Sequence, residues 1–260
     1  MSIRTTQYES IEVAQSPFAT RITLNRPEHQ NTINPALLAD LTTALAGAEA
    51  NPDCRLVVLA ANGPVFCAGL DVAAAAGRRP GESGGRVFLD LLKRLSGFPK
   101  VIATVVDGKV LGGGVGLIAA TDFVFATPES TFALPEMLWG LLPCCVLPYL
   151  IRRCGAPFAQ TMTLSTLPVD APLAWQRGLV DQVVPDPEVA LRALGYRLSK
   201  VDPRTIRTGK RFLSDLTGVD SATEEFVLTE FAGLMGSDVV AERMGGFAAD
   251  GRAPWEGGAA

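Results

Sequence analysis

Histidine is almost absent: the 260 residues contain one, His29, in the polar stretch Arg26-Pro27-Glu28-His29-Gln30. A Ser-His-Asp or Cys-His mechanism would have to run through this single side chain, which reads as a solvated loop residue, so those mechanisms rank low. Cysteine is sparse as well. Cys54, Cys67, Cys144, Cys145 and Cys154 are an odd number with no CxxC pair, which indicates neither a zinc site nor a disulfide framework and suits a reducing cytoplasm. No apolar run reaches the length of a bilayer span, and Met1 to Ser10 lacks the apolar segment of a secretory signal, so a membrane partner is not expected. Charge of one sign is not in excess either: the net value is −4, which offers nucleic acid no attractive field. The glycines of Gly112-Gly113-Gly114-Val115-Gly116 lack GxGxxG spacing, and no Gly-Lys-Ser/Thr follows, against a dinucleotide site and a P-loop. No metal and no resident cofactor are expected.

What is present is apolar material: 48 % hydrophobic against 19 % charged residues, enough for a large α/β core. Ile11-Glu12-Val13 and Ala19 to Asn25 read as a hairpin. Asn34-Pro35 reads as the N-cap and first position of a helix, with Leu37, Leu38, Leu41, Ala44, Leu45 and Ala48 as its buried stripe. Leu56 to Ala61 and Val101 to Val106 are continuous apolar runs, as in strands buried on both faces. A further helix is marked by Val87, Leu91, Leu92 and Leu95, and Asp122 to Ala126 returns as a strand. This alternation predicts a parallel-type sheet with helical crossovers. From Pro148 onward the pattern is mostly helical, in six segments from Tyr149 to Met235. Ala73 to Gly85 reads as a mobile surface loop, and Gly251 to Ala260 as loose apart from Trp255.

Two glycine-bearing segments follow buried strands: Cys67-Ala68-Gly69-Leu70-Asp71 and Gly108 to Gly116. Glycine lets backbone approach a ligand closely. The second segment also opens a helix, where free N–H groups favour a developing negative charge. One N–H from each could converge on a thioester oxygen. A tight helix–strand contact explains the same glycines equally well.

The constellation resembles the crotonase (enoyl-CoA hydratase/isomerase) superfamily from about Tyr8 to about Val184, through Leu24-Asn25-Arg26-Pro27-Glu28, Phe66-Cys67-Ala68-Gly69-Leu70-Asp71, Gly108 to Gly116, and Ser130 to Leu141. The resemblance implies an α/β crotonase (ClpP-like) fold of repeated ββα turns in residues 1–195, with a C-terminal helical region, 196–260, used for trimerisation. It implies an oxyanion hole formed by the backbone N–H groups of Leu70 and Gly113. It implies Glu136 as acid/base, and Ala68, Asp71, Gly112 and Lys109 in substrate binding. Hydratases of the family use a second glutamate, at the position that Gly116 occupies here, so water addition held by two carboxylates is in doubt. One carboxylate remains able to remove a proton α to the thioester and then, protonated, to assist a leaving group on the same face.

A narrower resemblance runs through Gly116 to Asp122, Leu138 to Arg153, Asn31-Thr32-Ile33-Asn34 and Pro254-Trp255-Glu256. It is to the crotonase-type dehydratases of polyketide β-branching. Ordinary hydratases carry a glycine-rich loop where this chain has Pro143-Cys144-Cys145-Val146. Such relatives convert a 3-hydroxy-3-methylglutaryl group on an acyl carrier protein to 3-methylglutaconyl. The implied partner is an acyl carrier protein or coenzyme A thioester, the acyl group riding on phosphopantetheine or coenzyme A, and the implied assembly is a homotrimer or hexamer. Lys109 could pair with the distal carboxylate of such a substrate, although a surface lysine at a strand end is the plainer reading. Arg78, Arg79 and Arg86 could meet acidic carrier groups or be simply solvated. Cys144 and Cys145 read as packing, and Asp71 as a helix cap. The rivals are an enoyl-CoA hydratase/isomerase or decarboxylase of the same superfamily with the same oxyanion hole, and a non-catalytic scaffold that binds carrier proteins.

Overall fold

The computed structural model describes residues 4–75 and 84–255. Arg78, Arg79 and Glu256, together with most of the expected loop, lie outside the described residues. The strands are β1 Arg4–Gln7, β2 Ile11–Gln15, β3 Ala19–Leu24, β4 Leu56–Ala61, β5 Val65–Cys67, β6 Val101–Val106, β7 Lys109–Leu111, β8 Phe123–Ala126, β9 Thr131–Ala133, β10 Val169–Asp170 and β11 Gln182–Val183. The helices are α1 Pro35–Ala50, α2 Val72–Ala75, α3 Gly84–Ser96, α4 Gly113–Ala119, α5 Leu147–Cys154, α6 Ala156–Ser165, α7 Ala171–Gln176, α8 Pro187–Leu198, α9 Pro203–Thr217, α10 Ser221–Met235 and α11 Asp238–Asp250.

Two sheets share the strands. One runs β1-β2-β3-β4-β6-β8-β11, antiparallel to β3 and parallel beyond it; the other runs β10-β9-β7-β5. The chain gives β4 to the first sheet and β5 to the second before α3, then β6 and β7 before α4, which is the repeated ββα unit of the crotonase fold. The hairpin forms as its alternation predicts, closed by Ser16, whose Oγ accepts from Ala19 N–H at 3.0 Å. Asn34 caps α1 by accepting from Leu37 N–H at 2.8 Å, and the six expected residues are the buried ones. β4 and β6 are covered on one face by α1 and α3, and on the other by Ala190, Leu191 and Leu198 of α8. That double cover is why both strands read as unbroken apolar runs.

Two features differ from expectation. The helix α8 continues through residue 195, so the break before the last helices falls at 199–202, after Leu198. The helical part also contains α11, whose Gly245, Gly246 and alanines weaken the periodic signal. It is not a separate module. Phe231 of α10 packs over Gly85 of α3, and α11 lies against α2 and the turn that carries Glu136. Among the described residues no helix is long and apolar enough to cross a membrane.

The site depends on how closely α4 approaches β5. A Cβ built on Gly114 would stand 2.7 Å from Cys67 O and 2.9 Å from Cys67 Cβ, both fully enclosed. Gly114→Ala is therefore expected to lower stability by about 1–3 kcal/mol through overpacking, read as a shift in the urea midpoint. An unchanged midpoint would mean that α4 has room to stand off from β5.

Candidate active site

The first glycine-bearing segment is tied down from below. Ile33 N–H donates to Gly69 O at 2.7 Å, and Asp71 N–H donates to Ile33 O at 3.0 Å, as in a one-residue parallel bridge. These bonds flank Leu70 and use its neighbours, so Leu70 N–H donates to nothing among the described residues. Ala68 is fixed by its own N–H, which donates to Gln30 O at 3.0 Å. The second segment is tied by Gly112 N–H to Ala133 O at 2.9 Å, and Gly113 N–H, at the first position of α4, is likewise free of a partner among the described residues. The two segments touch. A Cβ on Gly69, which has φ +82°, would lie 3.2 Å from Gly113 N and 3.0 Å from Leu111 O, so a side chain there would both strain the backbone and part the two donors.

Glu136 begins a 3-10 turn, Glu136–Trp139, just after β9 and Pro135. Its carboxylate fills the space that a side chain on Gly112 would take: Oε1 lies 2.9 Å from that Cβ position, where the backbone is at φ +51° and ψ −121°. Oε2 is buried and accepts no hydrogen bond among the described residues. Burial, with no cation to offset it and only the residue's own N–H to oppose it, pushes the Glu136 carboxyl up to about 7. A carboxyl so placed exchanges protons readily near neutral pH.

The turn is gripped by the C-terminal helix. Arg243 Nη1 donates to Leu138 O at 3.0 Å, and Trp139 stands edge-to-face with Phe247 and Trp255 at 5.4 and 5.2 Å between centroids. Gly140, at φ +83°, ends the turn beneath Val239 and Val240. None of these C-terminal partners except Trp255 is marked by a motif in the sequence.

The other expected residues divide. The Asp71 carboxylate is occupied: it caps α2 by accepting from Ala74 N–H at 3.0 Å, accepts from Thr32 Oγ1 at 3.0 Å, and pairs with Arg26 at 3.6 Å. The Arg26 motif thus holds the floor of the Leu70 segment. Lys109 is exposed at the start of β7, roughly 10 Å along the strand from Gly112 at 3.3 Å per residue, and makes no ion pair among the described residues. Arg86 is exposed on α3. His29 is exposed in a 3-10 turn. Cys144 and Cys145 are buried, and burial pushes their thiols up to about 11 and about 12, which makes them inert packing.

Gly116 is enclosed by hydrocarbon. A Cβ there would meet Val146 Cγ2 at 2.9 Å, and Leu92 Cδ1 and Phe88 Cζ at 3.4 Å each. A side chain here would press on Val146 and start out among carbon atoms. The sequence pattern marked α3 but not Phe88, because a single aromatic on a helix gives no sign of which glycines it faces.

The chain is similar to known proteins in sequence and in fold. The enoyl-CoA hydratase/isomerase family model matches residues 18–256. The bacillaene synthase dehydratase PksH of Bacillus subtilis is 36 % identical over 227 residues, covering 85 % of this chain and 87 % of that protein. The 2,3-dehydroadipyl-CoA hydratase of Escherichia coli is 32 % identical over 196 residues, covering 74 % and 76 %. The crystal structure of PksH superposes with a TM-score of 0.89 at 33 % identity, covering 95 % of this chain and 99 % of the other. The chain belongs to the enoyl-CoA hydratase/isomerase family, the crotonase superfamily of the sequence motifs, and is an enzyme of its hydro-lyase type.

Proposed function

We propose that this chain removes water from a 3-hydroxy-3-methylglutaryl group carried as the phosphopantetheine thioester of an acyl carrier protein, giving 3-methylglutaconyl, in polyketide β-branching. The similarity to PksH supports the class of reaction. The observation that carries the reading is Glu136 seated beside Gly112 while the nearest neighbours of Gly116 are the side chains of Val146, Leu92 and Phe88. One carboxylate can take the α-proton and return it to the departing hydroxyl on the same face, so syn elimination, like the addition that is its reverse, needs no second carboxylate, and the similarity to PksH favours the direction of water loss.

In this reading Leu70 N–H and Gly113 N–H hold the thioester oxygen. Glu136 takes the α-proton and the electron pair passes into the enolate. When the double bond forms between the α and β carbons, the C–O bond breaks and the protonated Glu136 gives its proton to the departing hydroxyl, which leaves as water. The carboxylate returns to its starting state, and both transfers occur on one face. The chain is proposed to work as a homotrimer or hexamer. Helix α9 buries none of its residues within the chain yet exposes Phe212, Leu213 and Leu216, and an apolar face of that kind is covered in a soluble assembly.

The role of Glu136 is tested by Glu136→Gln. General acid–base help is worth about 10²–10⁴ in rate, so kcat should fall at least a hundredfold with little change in KM, as the oxyanion donors are backbone groups. Because the base must be ionised, wild-type kcat/KM should rise with pH up to about 7 and then level, and the variant should lose that limb. Near-normal kcat would move the base elsewhere.

Stability provides an independent check. The folded-state value of about 7 lies above the ordinary 4.5, so folding favours the protonated form. That contribution is complete below the unfolded value and is lost as pH rises to about 7, at roughly 1.4 kcal/mol per pH unit. Glu136→Gln should therefore gain on wild type between pH 5 and pH 8 in denaturant unfolding. A gap independent of pH would show that the carboxyl is not perturbed.

For the carrier, turnover of the carrier-protein thioester should exceed that of the coenzyme A thioester of the same acyl group. Mass measurement of the product separates water loss from a double-bond shift or carbon dioxide loss. Equal or better coenzyme A turnover across an acyl series would overturn the carrier assignment.

A further inference from the structure

We infer that Phe88 and Val146 set the acyl selectivity of the site, forming an apolar wall across from Glu136 that favours a β-carbon bearing an apolar branch over one bearing only hydrogen. This deepens the acyl-thioester reading above and rests on it. The first turns of α4 have two chemically different flanks. At Gly112 the neighbour is the Glu136 carboxylate, 2.9 Å from the Cβ position. At Gly113 the neighbours are Ile33 Cδ1 at 2.8 Å and Phe88 Cζ at 3.3 Å, and at Gly116 they are Val146, Leu92 and the same Phe88 ring edge. Phe88 therefore spans both turns. It is partly exposed, while Leu92, Ile33 and Val146 are buried, so Phe88 is the member of this group within reach of a bound acyl chain.

The substrate geometry follows from bond lengths. With the thioester oxygen on Gly113 N–H, the β-carbon is two bonds from the carbonyl carbon, roughly 2.5 Å away. It must sit within contact distance of this first turn. Its hydroxyl has to face Glu136 to receive the proton, which leaves the methyl to turn toward Phe88, with Val146 packed behind that ring, and the carboxymethyl arm to extend away from both. A methyl there meets carbon at van der Waals distance; a hydrogen leaves the wall without a partner; a polar group loses water without gaining a hydrogen bond. Val146 reaches this place because Pro143-Cys144-Cys145-Val146 turns in ahead of α5, with Val146 N–H donating to Pro143 O at 2.9 Å.

The test uses two thioesters on the same pantetheine carrier, 3-hydroxy-3-methylglutaryl and 3-hydroxyglutaryl, which differ only in the β-methyl. Two readouts are taken: kcat/KM for water loss, and exchange of the α-proton in deuterium oxide. The two alcohols differ in intrinsic reactivity, so the informative quantity is the change in the branched-to-linear ratio between wild type and variants. A methylene in an apolar pocket discriminates by about 10–200-fold, and Phe88→Ala is expected to lower the ratio at least about tenfold. Val146→Ala should lower it in the same direction, and Val146→Ile, which thickens the wall, should cut turnover of the branched substrate more than that of the linear one. Thermal melting identifies which variants fold, and the three substitutions make independent demands on the wall.

Ratios unchanged in the folded variants, with α-proton exchange intact, would overturn the selectivity wall and leave the acyl-thioester reading standing. Absence of both water loss and α-proton exchange by wild type on both thioesters would overturn that reading, and the wall with it. Exchange retained together with a fallen ratio supports both.

Discussion

Helix α4 lies against strand β5 at backbone distance, and the rest of the site is arranged around that contact. Gly114 lets the helix settle on Cys67, and Gly69 lets the loop after β5 settle on the start of the helix, 3.2 Å from Gly113 N at its Cβ position. Each contact is a place where one methyl group would separate the elements. Separation would have two effects at once: the loop that carries Leu70 would move away from Gly113 N, and the pocket beside Gly112 that receives Glu136 would change shape. Backbone donors suit this role because they cannot rotate away and carry no titration of their own. Their position is only as good as the packing beneath them, which here consists of Ile33 bonded on both sides of Leu70 and Arg26 paired with Asp71.

The same close packing determines the electrostatics. Glu136 is pressed into a space formed by the absent side chain of Gly112, with one oxygen buried and no cation to offset the burial, and its carboxyl is raised to about 7. A carboxylate paired with arginine would be a poorer base and a still poorer acid. One group that must take a proton and return it in a single cycle works best when neither state is strongly favoured. Destabilising a buried charge costs folding free energy, and the C-terminal helix offsets it locally by holding the turn through Arg243, Phe247 and Trp255. The last helices are therefore part of the support of the Glu136 turn.

Much of this was legible in the sequence, for physical reasons that differ by element. The helix α1 could be read to its cap because Asn34-Pro35 and a six-residue stripe all report on the same structure. The runs in β4 and β6 could be read because strands covered on both faces carry no polar residues to interrupt them. The strands β5, β7 and β9 are three residues each, too short for a period of two to show, and only the family motifs indicate that anything is there. The helix α11 was missed because its stability comes from packing on the Glu136 turn rather than from its own propensity. Asp71 was legible twice, as cap and as substrate contact, and the geometry commits its carboxylate to Ala74, Thr32 and Arg26.

Gly116 and Val146 show what a position-by-position reading leaves out. Taken alone, Gly116 is a lost carboxylate, and Val146 is one apolar residue in a segment unlike the glycine-rich loop of hydratases. In space they are one feature: the side chain missing from the helix and the one gained in the facing segment occupy the same volume, with Val146 Cγ2 2.9 Å from where the helix would place a Cβ. Interiors tolerate such exchanges when total volume is kept. The chemical character changes completely, because a volume that would hold a charge and its water now holds hydrocarbon. No single substitution reverses it. A carboxylate introduced at Gly116 would enter a space bounded by Val146, Leu92 and Phe88 with no polar partner there, and a smaller residue at Val146 would leave a cavity lined by carbon. The two positions fit only as a pair, and with carbon around Gly116 the motif positions keep one carboxylate, Glu136.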